Sequence, residues 1–209
     1  LILKSMALGP IMANCYVLGC ENTREAAVID PGEEAARILD ALKEDGLTLK
    51  LILNTHGHFD HVGANRELKQ AVPEAQLMIH GDDAPMLAQL ANSARMFGMQ
   101  AENSPDPDRL LQDTDAITFG DVKLDVVHVP GHSPGGVAFV CDAGIFVGDT
   151  LFAGSIGRTD LPGGNFDTLI ASIQNKLFQY DDDTSVYPGH MGPTTIGQEK
   201  RFNPFCAIR

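Results

Sequence analysis

The chain has 209 residues, 44% hydrophobic and 21% charged, with a formal net charge of −13. That length suits one generous domain over 1–209, and the composition is ordinary for a globular protein. The acidic balance excludes a nucleic-acid partner, which demands a basic surface, and no apolar run approaches the roughly 20 residues that cross a bilayer.

The predicted elements begin with short apolar strands at Ile2-Leu3, Cys15 to Leu18 and Ala26 to Ile29, a pattern that reads as an antiparallel meander. Pro31-Gly32 ends it. Glu33 to Asp45 is predicted helical, with Ala36, Ile38, Leu39 and Leu42 on one face and Gly46 as the stop. Leu49 to Leu53 is a buried strand, followed by a helix near Ala64 to Gln70, a strand over Gln76 to Ile79 and a helix from Asp82 to Leu90. Arg95 to Arg109, carrying Gly98, Pro105 and Pro107, reads as a long irregular loop of the kind that is usually functional or mobile. Strands follow at Ile117 to Phe119, Val122 to Val129, Val137 to Cys141 and Ile145 to Val147, with hairpin turns at Gly120-Asp121 and Asp142-Ala143-Gly144. A helix over Asp167 to Leu177 and a strand over Thr184 to Tyr187 complete the series. Two β-rich halves, each ending in helices, predict two sheets face to face with helices outside: a four-layer α/β sandwich whose loops at one edge hold a site.

The chemistry concentrates in Thr55-His56-Gly57-His58-Phe59-Asp60-His61, directly after the strand Leu51 to Leu53. Seven histidines in 209 residues would place three at such fixed positions by chance on the order of once in 30,000 starting points. Imidazole nitrogen and carboxylate oxygen are ligands for zinc, iron or manganese, and burying such groups side by side needs something to satisfy them. Three more segments repeat the order of apolar strand, glycine, then ligand: Pro130-Gly131-His132, Gly148-Asp149-Thr150 and Pro188-Gly189-His190. Glycine lets the backbone turn sharply beside a crowded centre. His80 and His128 stand outside this set and read as structural. Cys15, Cys20, Cys141 and Cys206 form no Cys-x-x-Cys pair, so reduced thiols in a cytoplasmic protein are expected. The first residues, Leu1 to Ser5, lack the apolar stretch of a signal peptide.

These motifs together resemble the metallo-β-lactamase superfamily, and within it the glyoxalase II (hydroxyacylglutathione hydrolase) group. The likeness extends through Gly157-Arg158-Thr159-Asp160 and the tail Thr194 to Lys200. It implies the αββα sandwich and two divalent ions, with zinc expected and iron or manganese open. His56, His58 and His132 would hold one ion, and Asp60, His61 and His190 the other. Asp149 would bridge them. Residues two apart in an extended segment point the same way, which suits His56 and His58 to one ion; a turn into a helix near Gly63 would aim Asp60 and His61 at the other. A bridging hydroxide, available because a zinc-bound water has a pKa near 7, would cleave a small-molecule thioester such as S-lactoylglutathione. Asp60 would orient it. No protein nucleophile is needed, so Ser133 and the cysteines have no such role.

Nineteen residues follow His190, so the helical glutathione-binding extension of larger members is not expected, and the chain resembles the short bacterial branch. Arg158 stands where those members carry a lysine and would bind a substrate carboxylate; a salt bridge to Asp160 or Asp167 is the alternative. A monomer or small homo-oligomer is expected. The competing reading is a persulfide dioxygenase with one iron on His56, His132 and Asp149, since that family shares the Gly-Arg-Thr-Asp segment. Leu161-Pro162-Gly163-Gly164 looks more like the hydrolase branch.

Overall fold

The computed structural model describes residues 1–208; Arg209, the last residue of the expected span, lies outside them. Strands β1 (Ile2–Leu8), β2 (Ala13–Gly19) and β3 (Glu25–Ile29) form the expected antiparallel meander. Helix α1 (Ala35–Glu44) buries Ile38 and Leu42. It stops at Gly46, whose positive φ of 61° lets the Gly46 and Leu47 amides reach back to the carbonyls of Lys43 and Leu42. Next come β4 (Thr48–Leu53), α2 (Phe59–Val62), α3 (Asn65–Ala71), β5 (Gln76–His80), α4 (Ala84–Leu87), α5 (Leu90–Met96) and β6 (Arg109–Leu111). The second half contains β7 (Ala116–Phe119), β8 (Val122–His128), β9 (Val137–Cys141), β10 (Gly144–Gly148) and the small hairpin β11 (Leu151–Phe152) and β12 (Ser155–Ile156). It closes with α6 (Phe166–Asn175), a 3-10 turn over Leu177–Gln179, β13 (Ser185–Pro188), β14 (Thr194–Thr195) and α7 (Ile196–Phe202).

Two six-stranded sheets result, ordered β1-β2-β3-β4-β5-β6 and β14-β13-β10-β9-β8-β7. Their four-layer packing follows from side-chain alternation along strands buried on both faces. In β3 and β4, Ala26, Val28, Leu49 and Ile52 face α1 and α3, whose Ile38, Leu42 and Leu68 complete that core, a register shift between the Leu49 and Leu51 pairs placing Leu49 on the same face as Ile52. The alternate residues Ala27, Ile29, Leu51 and Leu53 meet Val126, Phe139 and Phe146 of the second sheet. Beyond that sheet, Ala138, Ile145 and Val147 pack on Leu169 and Ile173 of α6 and on Ile196 of α7. These three cores are the three interfaces of an αββα sandwich. Among the described residues no helix is long and apolar enough to cross a membrane, and all four cysteines are unpaired.

The structure corrects three local expectations. The helix over 82–90 is broken into α4 and α5, because the Leu87 carbonyl accepts from the Ser104 amide instead of continuing the helix. Helix α5 runs into the 95–109 segment, which polar side chains then pin: Arg66 Nε donates to the Asn103 carbonyl, and the Asp108 carboxylate accepts from Lys69 and from the Leu77 amide. The helix after the histidine segment begins at Phe59 rather than near Gly63, so Asp60 and His61 lie on its single turn.

Candidate metal centre

Strands β3, β4 and β5 run parallel, as do β10 and β13. Their C-terminal ends therefore open on one edge, where doubly layered sheets place sites. β4 leads into His56 to His61, β8 into His132, β10 into Asp149 and β13 into His190. The glycines before the ligands are needed for space. A Cβ on Gly148, which has φ of 52°, would overlap the Thr55 hydroxyl, and one on Gly189 would overlap the Asp149 carboxylate.

All seven expected side chains converge. His56, His58 and His132 present ligand atoms within 4.8 Å of one another, and so do Asp60, His61 and His190. Asp149 lies between the groups: Oδ1 is 3.4 Å from His61 Nε2, and Oδ2 is 3.6 Å from His132 Nε2 and 3.5 Å from His190 Nε2. Asp60 Oδ2 is 3.5 Å from His61 Nε2 and 3.3 Å from His190 Nε2.

Hydrogen bonds at the back of the rings decide where their protons sit. The Thr55 hydroxyl donates to the Asp30 carboxylate at 2.6 Å, so it accepts from His56 Nδ1–H at 3.0 Å. His56 Nε2 is thereby left with its lone pair. His132 Nδ1 donates to the Arg158 carbonyl at 2.8 Å, which leaves Nε2 unprotonated, 2.8 Å from His58 Nδ1. His61 Nδ1 donates to Asp30 at 3.1 Å. A ligating histidine whose second nitrogen donates to a carboxylate or carbonyl is the usual supported arrangement of metal sites.

The donors fit a divalent cation. His56 Nε2 and Asp149 Oδ1 are buried without a hydrogen-bond partner, a costly state that cations at the two ligand groups would relieve. Burial, then the neighbouring imidazoles, drives His56 well below the ordinary histidine range. Burial, then His132 and His61, pulls His58 down to about 4 against the opposing carboxylates. Both rings are thus neutral and free to donate lone pairs. Burial opposes ionisation of Asp60, but His61 and His190 outweigh it and hold the carboxyl well below the usual carboxylate range. His61 behaves oppositely. Burial acts to lower it, yet Asp149, Asp60 and Asp30 together push it up to about 10.

A ligand must offer a neutral nitrogen, so a metal ion held by His61 at neutral pH would displace its Nε2 proton. Calorimetric titration of metal in buffers of different ionisation heat is expected to show about one proton or more released per chain. An observed heat independent of the buffer would contradict this.

Two buried carboxylates that organise the loops of the site do not stand out in the sequence. Asp30, 2% exposed, receives the Thr55 amide at 2.7 Å, the Thr55 hydroxyl and His61, and so steers both ligand groups. Asp83, 0% exposed, accepts from the Gly57 amide at 2.9 Å and the Gly135 amide at 2.6 Å, tying the loop of His56 and His58 to that of His132. Asp30 does follow the strand Ala26 to Ile29, the same order of strand then ligand seen in the other motifs. The Arg158 side chain turns outward and makes two 2.7 Å bonds to Asp160.

Residues 8–190 match the metallo-beta-lactamase superfamily, and the chain belongs to it. It is 40% identical over 195 residues to the hydroxyacylglutathione hydrolase GloC of Haemophilus influenzae, covering 92% of each chain. It is 35% identical over 196 residues to the mitochondrial persulfide dioxygenase ETHE1 of Homo sapiens, covering 90% of this chain and 69% of that one. Among solved structures it is similar to the B3 metallo-beta-lactamase BLEG-1, with TM-score 0.91 and 40% identity over 98% of this chain and 99% of that one. It is also similar to TTHA1623 in a di-iron-bound form, with TM-score 0.89 and 39% identity over 97% and 99%.

Proposed function

We propose that this chain is a binuclear metal-dependent hydrolase of the glyoxalase II type, cleaving a thioester such as S-lactoylglutathione to a hydroxy acid and a thiol. The observation that carries the reading is the position of Asp149, with one oxygen toward His61 and the other toward His132 and His190. A carboxylate there can serve two ligand groups at once. Two divalent ions, with zinc expected, would supply a hydroxide nucleophile at neutral pH and Lewis acidity for the carbonyl. Asp60, held ionised, is an acceptor that can orient the attacking water. Hydrolysis adds the water oxygen to the acyl carbon and breaks the C–S bond, and the thiolate leaves. The likeness to the Haemophilus influenzae hydrolase supports the thioester substrate. Four unpaired thiols fit a reducing compartment such as the cytoplasm.

The likeness to the human persulfide dioxygenase and to a di-iron-bound structure favours iron chemistry as the second reading. One set of assays separates the two. The purified protein is given S-lactoylglutathione, glutathione persulfide with an oxygen electrode, and a β-lactam. Thioester hydrolysis without persulfide-dependent oxygen uptake is expected. Oxygen uptake without hydrolysis would overturn the proposal, as would β-lactam turnover alone.

Arg158 is proposed to bind a substrate carboxylate by exchanging its partner Asp160, since both side chains are more than half exposed and an exposed pair is weak. Arg158→Ala is therefore expected to raise KM several-fold and leave kcat within about twofold. Equal losses in kcat and kcat/KM would assign it a different role.

A further inference from the structure

The tail Thr194 to Lys200 supplies no ligand to the seven-residue centre, yet it carries a buried carboxylate. Glu199, on the first turn of α7, is 1% exposed. Its Oε1 accepts from the Thr194 hydroxyl at 2.6 Å, and its Oε2 from the Gly154 amide at 3.0 Å and from Asn203 Nδ2 at 2.7 Å. These three donors are uncharged, so the burial of the carboxylate depends on all of them being in place. Asn203, equally buried and one turn further along, also donates from Nδ2 to the Ser155 carbonyl at 2.9 Å.

Gly154 and Ser155 lie at the tip of the β11–β12 hairpin, which pairs only Leu151 with Ile156 and Phe152 with Ser155. A two-stranded hairpin that short does not hold its own shape. Its outgoing strand follows Asp149 by two residues, and the Phe152 ring stands edge-on to His190 with centroids 6.1 Å apart. Its returning strand leads into Gly157, where a Cβ would overlap the Asp149 carbonyl and come within 3.0 Å of His132 Nδ1. Next comes Arg158, whose carbonyl receives His132 Nδ1. On its other side Glu199 holds Thr194, which pairs with Val186 of β13, the strand that delivers His190. One carboxylate thus ties together the segments that carry Asp149, His190 and the carbonyl behind His132.

We propose that Glu199 is a positioning residue of this centre, pinning the β11–β12 hairpin to α7 and so holding the Arg158 carbonyl against His132. The bonds of its carboxylate go to the hairpin, to β14 and to α7, not to the seven ligands, so it acts on them through the hairpin. The carbonyl it places is the support that a ligating histidine needs behind its ring. The Arg158 side chain starts from the same residue and takes its place from the same hairpin.

Substitutions around Glu199 separate positioning from stability alone. Glu199→Ala leaves the Gly154 amide without its acceptor and frees the hairpin tip. Glu199→Gln keeps an oxygen for Gly154 and Asn203, and the Thr194 hydroxyl can turn to accept from its NH2 group. Thr194→Val strips the same carboxylate of one donor but spares the Gly154 bond, so it should lower Tm without freeing the hairpin. In zinc-loaded protein with histidine isotopically labelled on nitrogen, NMR reads how fast the His132 Nδ1 proton exchanges with water. Exchange is expected to quicken about tenfold or more in Glu199→Ala and to stay within about threefold of wild type in Glu199→Gln and Thr194→Val. Asn203→Ala, which cuts the Ser155 tie and keeps Glu199, should quicken it by a smaller factor and serves if the Glu199→Ala chain does not fold. Values of kcat/KM for S-lactoylglutathione should fall in the same order, by about tenfold or more in Glu199→Ala. That kinetic arm rests on the thioester reading: a wild type inactive on this substrate sinks that reading, while proton exchange still tests Glu199. Wild-type exchange in both alanine variants would overturn the proposal. So would a valine variant that matches Glu199→Ala in exchange, or a glutamine variant no better than alanine.

Discussion

His58→Ala is expected to lower kcat/KM for thioester hydrolysis by three orders of magnitude or more, a barrier increase of about 4 kcal/mol. His58 is one of only three donors in its ligand group, and its Nδ1 already sits 2.8 Å from His132 Nε2. Alanine leaves His56 and His132 with the shared Asp149 carboxylate, and two imidazoles there hold a divalent ion far less tightly than three. The fold itself should tolerate the change. Burial and neighbouring imidazoles disfavour a charge on His58, so before metal is bound its ring contributes crowding rather than an ion pair. The Tm of the metal-stripped variant should therefore match that of stripped wild type, while metal content and activity fall together. Activity within tenfold of wild type would show that His58 is not a ligand.

Asp30 predicts a different signature, because it is a positioning residue that touches no substrate. Asp30→Ala removes the acceptor for the Thr55 amide, the Thr55 hydroxyl and His61 in a fully enclosed place. Losing one partner of such a buried charged network costs about 3–5 kcal/mol, which for a chain of this size lowers Tm by on the order of 10 °C. Asp30→Asn separates fold from chemistry. The amide oxygen can still receive the Thr55 amide, and Asn accepts the left-handed backbone, φ 53°, that Asp30 adopts. Its NH2 group, however, faces His61 Nδ1 and turns that nitrogen into an acceptor. In the neutral ring that metal binding requires, the remaining proton then sits on Nε2, the atom aimed at Asp60, Asp149 and His190. Metal affinity at that group should fall by roughly 10–100-fold, the usual effect of losing such support, with most of the stability kept. An asparagine variant that binds both ions as wild type does would remove the proposed role.

Much of this architecture is legible in the chain. Continuous apolar runs in Ala26 to Ile29 and Leu51 to Leu53 announce strands covered on both faces, and the ligands stand out because they cluster just after apolar strands, His132, Asp149 and His190 each directly behind a glycine. Asp30 is hidden for a physical reason. Its partners Thr55 and His61 are 25 and 31 residues away, brought near only by the parallel pairing of β3 with β4. In the sequence Asp30-Pro31-Gly32 reads equally well as a turn. Asp83 is hidden likewise: Asp82-Asp83 before Ala84-Pro85 looks like a helix start, and only the closed sandwich brings Gly57 and Gly135 to its carboxylate. Strand β6 is missed because two of its three residues are exposed, leaving no alternation to detect. The two-residue strands β11 and β12 are too short to show a period at all.

Seven side chains at one sheet edge are proposed to form a centre for two ions, with Asp149 between them. Anomalous diffraction from a crystal of the purified protein, recorded at the absorption edge of the metal it carries, tests it most directly. The predicted result is two separate peaks per chain, one against His56, His58 and His132 and one against Asp60, His61 and His190, each within bonding reach of an Asp149 oxygen. A single peak at full metal loading, with Asp60 and His190 unligated, would contradict a two-ion centre.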